Sequence, residues 1–305
     1  MRRKCGASRT HSAILAIARS IRWPIQLISA LATFSGCLAP DDTPDAAVVD
    51  AGQVLYTETE PNDGATVDQY NALETGKLLT GALQSPGDAD IFKIDTIAGR
   101  LYRLTLTVPA GSSLQAHVTV FDTGRGGHAA GDDFVKVGVL DGSGSVQLEW
   151  LAMGQGGYFV AVRDQRNVTG SQVGGEGFGY ELSANNVALA EAEVGALTFP
   201  TTGAHASLRA AGAVALYRFS TTSGTEVTID LRADDSTEPA GLDGRLIVVS
   251  VASGDWVARN DDRGQTDVDP LLQAPLYADG EIILVVDNVN ERATRLGYTL
   301  NATSP

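Results

Sequence analysis

Short runs of alternating apolar and polar residues recur from about residue 54 to the end of this chain. Phe92 and Ile94, then Tyr102, Leu104 and Leu106, place every second side chain on one face, the period of a half-buried β-strand. Tyr217 and Phe219, then Val227, Ile229 and Leu231, repeat the pattern. Gly99 and Gly224 fall between consecutive strands, where a tight turn favours a residue that accepts positive φ. No window carries an apolar face at helical spacing. Many short strands broken by Gly- and Asp-rich turns predict an all-β chain of antiparallel sandwich type.

The two sets of strands are copies of one unit. Residues 91–106 match 216–231 without a gap, Phe92 falling on Tyr217 and Gly99 on Gly224. Residues 118–124 match 248–254, residues 157–164 match 280–287, and Gly179-Tyr180-Glu181-Leu182 matches Gly297-Tyr298-Thr299-Leu300. Order is kept and only the loops change length. The pattern predicts two tandem β-sandwich domains, 54–187 and 188–305, each closing its own core.

The first 53 residues have another character. A basic start leads into an apolar run over residues 23–34, too short to span a bilayer and suited to the h-region of a signal peptide. The run ends Phe34-Ser35-Gly36-Cys37. Small residues before a cysteine resemble a bacterial lipoprotein box, which implies a signal peptide over 1–36 and lipid on the Cys37 thiol. The alternative is an ordinary secretory signal in which the cysteine is incidental. Residues 37–53 hold the cysteine and an acidic stretch too poor in apolar residues to fold, a disordered tether. Leu38 stands where Asp would mark inner-membrane retention, so the outer membrane is the expected address.

Charge narrows the partners. The first 36 residues hold six bases and no acid, leaving 16 basic against 37 acidic residues in the rest, a net −21. A body that acidic repels nucleic acid and anionic lipid, so contact with a membrane is expected through the lipid anchor alone. Two cysteines, Cys5 and Cys37, give no disulfide framework.

Two tight clusters carry the candidate chemistry. Glu58, Glu60, Asn62 and Asp63 lie in one hexapeptide, and Asp88 and Asp90 lie just ahead of a strand. Calcium takes six to eight hard oxygen ligands in flexible geometry, and these six side chains are the candidate set. The same residues also read as turn signals with solvated acids. In the second copy Gly212 keeps the glycine of Gly87, but Ala213 and Ala215 replace Asp88 and Asp90. Calcium is therefore expected in the first copy only. The acidic run Asn260-Asp261-Asp262, with Asp267 and Asp269, reads as a surface turn. Catalysis finds no motif: His117, His128 and His205 have no metalloprotease or nucleophile-elbow context, and the chain is expected not to be an enzyme. Trp150, Trp256 and Tyr158 fall on or beside strands and read as core.

The Glu-Pro-Asn-Asp opening, Gly87-Asp88-Ala89-Asp90-Ile91-Phe92, the strand ending Asp122-Thr123-Gly124, the 157–162 strand and the closing Gly-Tyr-x-Leu together resemble the bacterial pre-peptidase C-terminal domain family. The resemblance covers most of the first copy. The second copy lacks the opening motif and is tied in through the internal match. The family implies a jelly-roll-like β-sandwich and a non-catalytic accessory role, and its collagen-binding members place calcium ligands at the Glu-x-Glu-Pro-Asn-Asp spacing. The expectation is a lipid-anchored envelope protein whose modules bind protein or polysaccharide. The alternative is a structural spacer or assembly subunit of an envelope complex.

Overall fold

Each stretch of alternation becomes a strand, and inward positions are the apolar ones. The computed structural model describes residues 55–62, 70–122, 134–140, 144–152, 156–189, 191–237, 240–263, 267–290 and 292–304. The signal segment, Cys37, the tether and Asp63 lie outside them. In the first copy the strands are β1 (Leu55–Thr57), β2 (Asn71–Ala72), β3 (Leu78–Ala82), β4 (Ala89–Thr96), β5 (Arg100–Thr107), β6 (Ala116–Asp122), β7 (Phe134–Val139), β8 (Ser145–Leu151), β9 (Gly156–Asp164) and β10 (Gly179–Ala188). They form two sheets, in the orders β1-β3-β10-β5-β8 and β2-β4-β9-β6-β7.

The second copy supplies β11 (Val194–Ala196), β12 (Thr201–Ser207), β13 (Ala215–Thr221), β14 (Thr225–Ala233), β15 (Gly244–Ser250), β16 (Trp256–Asn260), β17 (Leu271–Leu276), β18 (Gly280–Asn288) and β19 (Gly297–Thr303). Its sheets run β11-β13-β18-β15-β16 and β12-β19-β14-β17. The fold is all-β. Pairing is antiparallel except where the short entry strands β1, β2 and β11 lie parallel to β3, β4 and β13. Those exceptions have a cause. β1 belongs to one sheet, β2 to the other and β3 to the first again, so the entering chain crosses between the sheets and runs beside a strand instead of turning back on it.

Each copy has its own core. Phe92, Ile94, Leu104, Trp150, Val160 and Leu182 belong to the first cluster; Phe219, Ile229, Leu246, Leu284 and Leu300 belong to the second. A third cluster joins the copies, with Leu101 and Leu151 against Leu216, Val249, Ile283 and Val285. Around it lie ion pairs on two buried carboxylates, Asp287 and Glu149. Lys136 on β7 contacts Asp287 on β18, which also takes Arg245. Glu149 on β8 takes Arg103 at 2.7 Å and Arg209 from the second copy. The Glu149 amide donates to the Gly212 carbonyl at 2.8 Å. Each copy closes a core, yet each also buries surface against the other.

Strand pairing corrects the register of the internal match. Phe92 lies opposite Val160, whereas Tyr217 lies opposite Leu284. Residues 157–164 therefore correspond to 281–288, one position beyond the match read from the glycines. Val118 pairs with Val162 and Leu246 with Val286, which moves that block by two. The caps agree: the Gln115 amide donates to Asp164, and the Asp243 amide to Asn288. The error has a physical source. All five residues from Ile282 to Val286 are buried, because one face of β18 packs on its own core and the other on the first copy. A strand apolar on both faces has no alternation to fix its register.

Candidate metal centre

The residues that follow β1 bring acids beside β3 and β4. Glu58 follows β1 directly, and its carboxylate accepts from the Ala82 amide on β3 at 2.5 Å. Glu60 accepts from the Asn62 amide at 3.0 Å, and Asn62 Nδ2 donates to Glu58 at 3.1 Å. The Asn62 carbonyl takes the Ile91 amide at 2.8 Å, which ties the hexapeptide to β4.

Asp90 is not in a loop. It is the second residue of β4, on the inward row shared with Phe92 and Ile94, and none of its surface is exposed. A carboxylate in a core position needs partners or must neutralise. Here burial first, then the nearby charge of Glu58, pushes the Asp90 carboxyl up to about 9. The Tyr180 hydroxyl donates to Asp90 Oδ2 at 2.5 Å. The same hydroxyl lies 2.9 Å from Glu58 Oε2. One phenol proton cannot serve two ionised carboxylates at once, so the trio calls for another proton or a cation. Burial, then Asp90 and Glu58, hold the Tyr180 phenol well above its usual range.

Glu58, Glu60 and Asp90 are the carboxylates that converge, each offering an oxygen within 4.8 Å of the others. Two further oxygens point to a missing positive partner. Asn62 and Asp90 are fully buried, and Asn62 Oδ1 and Asp90 Oδ1 have no hydrogen-bond partner. Orphaned buried acceptors are rare in folded proteins. A hard cation would satisfy both, and the all-oxygen donor set fits calcium. Asp88 stands apart from the three. Its carboxylate closes the turn before β4, taking the Gln84 amide at 2.6 Å and the Ala89 amide at 2.9 Å.

Sequence reasoning missed two members. Tyr180 was visible only as part of the closing Gly-Tyr-x-Leu, and Gly81 not at all. A Cβ on Gly81 would lie 2.4 Å from the Tyr180 oxygen and 2.7 Å from Glu58 Oε2, so only glycine fits beneath them. The second copy answers the same position without charge. Ala215 replaces Asp90, and the Tyr217 hydroxyl, in the place of Phe92, meets that of Tyr298 at 2.7 Å. Burial, followed by Tyr217, raises the Tyr298 phenol. Two acids of the 260–269 run make ion pairs instead: Arg232 reaches Asp267 and Asp269, and Arg263 reaches Asp267. Trp150 and Tyr158 are core, and Trp256 lies half-buried beneath Arg259.

No family model matches the sequence, and no curated protein matches it either. Among solved structures it is similar to the pre-peptidase C-terminal domain of collagenase from Bacillus anthracis, at 15% identity over 45% of this chain and 100% of that one, with a TM-score of 0.26. It is similar to PliG of Aeromonas hydrophila, a periplasmic inhibitor of g-type lysozyme, at 16% identity over 37% and 96%, TM-score 0.26. A third likeness is to the CBM22-1-CBM22-2 tandem domain of Paenibacillus barcinonensis Xyn10C, at 13% identity over 70% and 82%, TM-score 0.22. With TM-scores this low, none of them bears on function.

Proposed function

We propose that this chain is a non-catalytic binding protein of a bacterial cell envelope, held to the outer membrane by lipid on Cys37. Its two sandwich modules bind protein or polysaccharide, and the first is stabilised by calcium held by Glu58, Glu60, Asn62 and Asp90. The observation that carries the calcium assignment is the pair of orphaned oxygens, Asn62 Oδ1 and Asp90 Oδ1, buried beside three converging carboxylates. Bound there, calcium would neutralise the carboxylates and fasten the crossover to β4. A second reading, a rigid spacer, has its own support. The exposed aromatics among the described residues include Tyr70, edge-on to Phe159, and Tyr277, which make no patch, and ion pairs on the buried Asp287 and Glu149 join the two modules.

Thermal melts of the whole protein in calcium and in chelator test the site. A ligand that binds only the native state at a hundredfold excess over its Kd adds about 2.7 kcal/mol. At about 2–4 °C per kcal/mol for a chain of this size, the melt should rise by roughly 5–10 °C. Asp90→Asn, which keeps the shape, should lose that rise. An equal rise in the variant, or none in the wild type, overturns the assignment.

A further inference from the structure

The second sandwich holds a cleft of about 320 Å³ beside the turn between β13 and β14. In the first copy three aromatic rings fill the matching positions. Tyr102 stacks on Trp150 at 5.5 Å, Trp150 meets Tyr158 at 5.9 Å, and all three are buried. The Tyr102 hydroxyl then takes the Ile97 amide at 3.0 Å and seals the β4–β5 turn.

Strand pairing identifies the matching positions in the second copy. Tyr102 corresponds to Val227 in the gapless match. Trp150, opposite Tyr102, corresponds to Ala274, opposite Val227. Tyr158, opposite Ile94, corresponds to Ile282, opposite Phe219. Three large rings have become valine, alanine and isoleucine. Phe199, edge-on to Phe219 at 5.2 Å, replaces part of that volume from the side. What stays open has Phe199, Phe219 and Val227 as its apolar wall and the hydroxyls of Thr222, Thr225 and Ser304 at its rim.

The lining selects a ligand by chemistry. No residue lining the cleft carries a charge, so an ion would lose hydration and gain no partner there. A hydrocarbon would cover the rim hydroxyls without replacing their hydrogen bonds. Thr225 donates to the Thr222 carbonyl at 2.6 Å, yet each rim oxygen keeps acceptor capacity. A neutral sugar ring has both a C–H face for the aromatic wall and hydroxyls for the rim, and apolar walls with a few polar groups are the usual make-up of small-ligand sites. We propose that this cleft binds a neutral saccharide and is the glycan-recognition site of the chain. The proposal rests on the binding-protein reading above and deepens it.

Calorimetric titration of the whole protein with cellohexaose, xylohexaose, maltohexaose and chitohexaose, and with an anionic hexagalacturonate, tests it. At least one neutral hexasaccharide should bind, and the uronate should not. Thr222→Arg, an exposed rim change, should weaken that binding by at least about tenfold without moving the melting temperature. Val227→Tyr with Ala274→Trp, which restores the ring pair of the first copy, should abolish it. A hexasaccharide that binds both variants as well as wild type overturns the cleft assignment while leaving the binding-protein reading standing. No neutral hexasaccharide binding, in protein whose calcium response is intact, overturns the saccharide proposal and returns that reading to protein partners.

Discussion

Asp287→Asn should be the most costly single change at the joint between the two sandwiches. Its carboxylate is shared by Lys136 and Arg245, whose side chains are 1% and 15% exposed. The amide would remove the charge that Lys136 and Arg245 share, and removing one partner of a buried pair costs about 3–5 kcal/mol. At about 2–4 °C per kcal/mol that is a fall of roughly 6–20 °C. Lys136→Met is the informative comparison. It leaves Asp287 with Arg245, so its cost should be smaller, about 1–3 kcal/mol. Differential scanning calorimetry of the whole protein reads both, and a weakened joint should also split the transition in two, since each copy has its own core. The pH dependence has a definite sign. Burial alone would raise the Asp287 carboxyl, but Lys136 and Arg245 more than offset it and hold the group below its ordinary range. Its contribution is therefore present above the ordinary carboxylate range and is lost as pH falls through the depressed value. The gap between wild type and Asp287→Asn should stay constant around neutral pH and close only in strong acid. Melting within about 2 °C of wild type, a Lys136→Met cost at least as large, or a gap that closes near neutrality would refute the reasoning.

Two further outcomes are expected. Gly81→Ala should cost roughly 1–3 kcal/mol through the clash with Tyr180 and Glu58, and should remove most of the stabilisation by calcium in urea titrations; a variant with the full calcium response counts against the site as drawn. The intact mass of the mature protein extracted from membranes should show Cys37 as a lipid-modified amino terminus, and a soluble chain that starts elsewhere with a free thiol would dismiss the anchor.

The strands were legible because a two-sided sheet forces alternation, and Phe92, Ile94, Leu104 and Leu106 obey it. Three features were not legible, each for a physical reason. Asp90 looked like a loop residue because nothing local tells an inward carboxylate from an outward one; its parity with Phe92 and Ile94 was the available signal. Tyr180 is 90 residues from Asp90 in sequence, and only sheet pairing brings the two together. The joint between the copies was missed although a clue was present. Five consecutive apolar residues, Ile282 to Val286, cannot all face one core in an antiparallel strand, so a second buried face was implied. That same run produced the one-residue slip against 157–164.

The absence of Asp88's carboxylate from the second copy has a structural cause of its own. The turn that Asp88 closes in the first copy corresponds to residues 209–213 in the second, and there it lies against the first sandwich. A Cβ on Gly212 would sit 2.0 Å from the Gln147 carbonyl, so the backbones of the two copies are in contact. The Ala213 carbonyl takes Lys136 at 3.4 Å, and the next amide, Val214, donates to Glu149 at 3.4 Å. Ala213 is only 3% exposed. An aspartate in its place would bury a carboxylate near Glu149, where desolvation and like charge both raise its cost. One loop therefore cannot serve both ends of this molecule. Where it keeps Asp88 it closes its own turn ahead of β4, and where it loses that acid it can seat against β8. Duplication supplied two copies of the turn, and the exchange of Asp88 for Ala213 is what lets the second act as the joint.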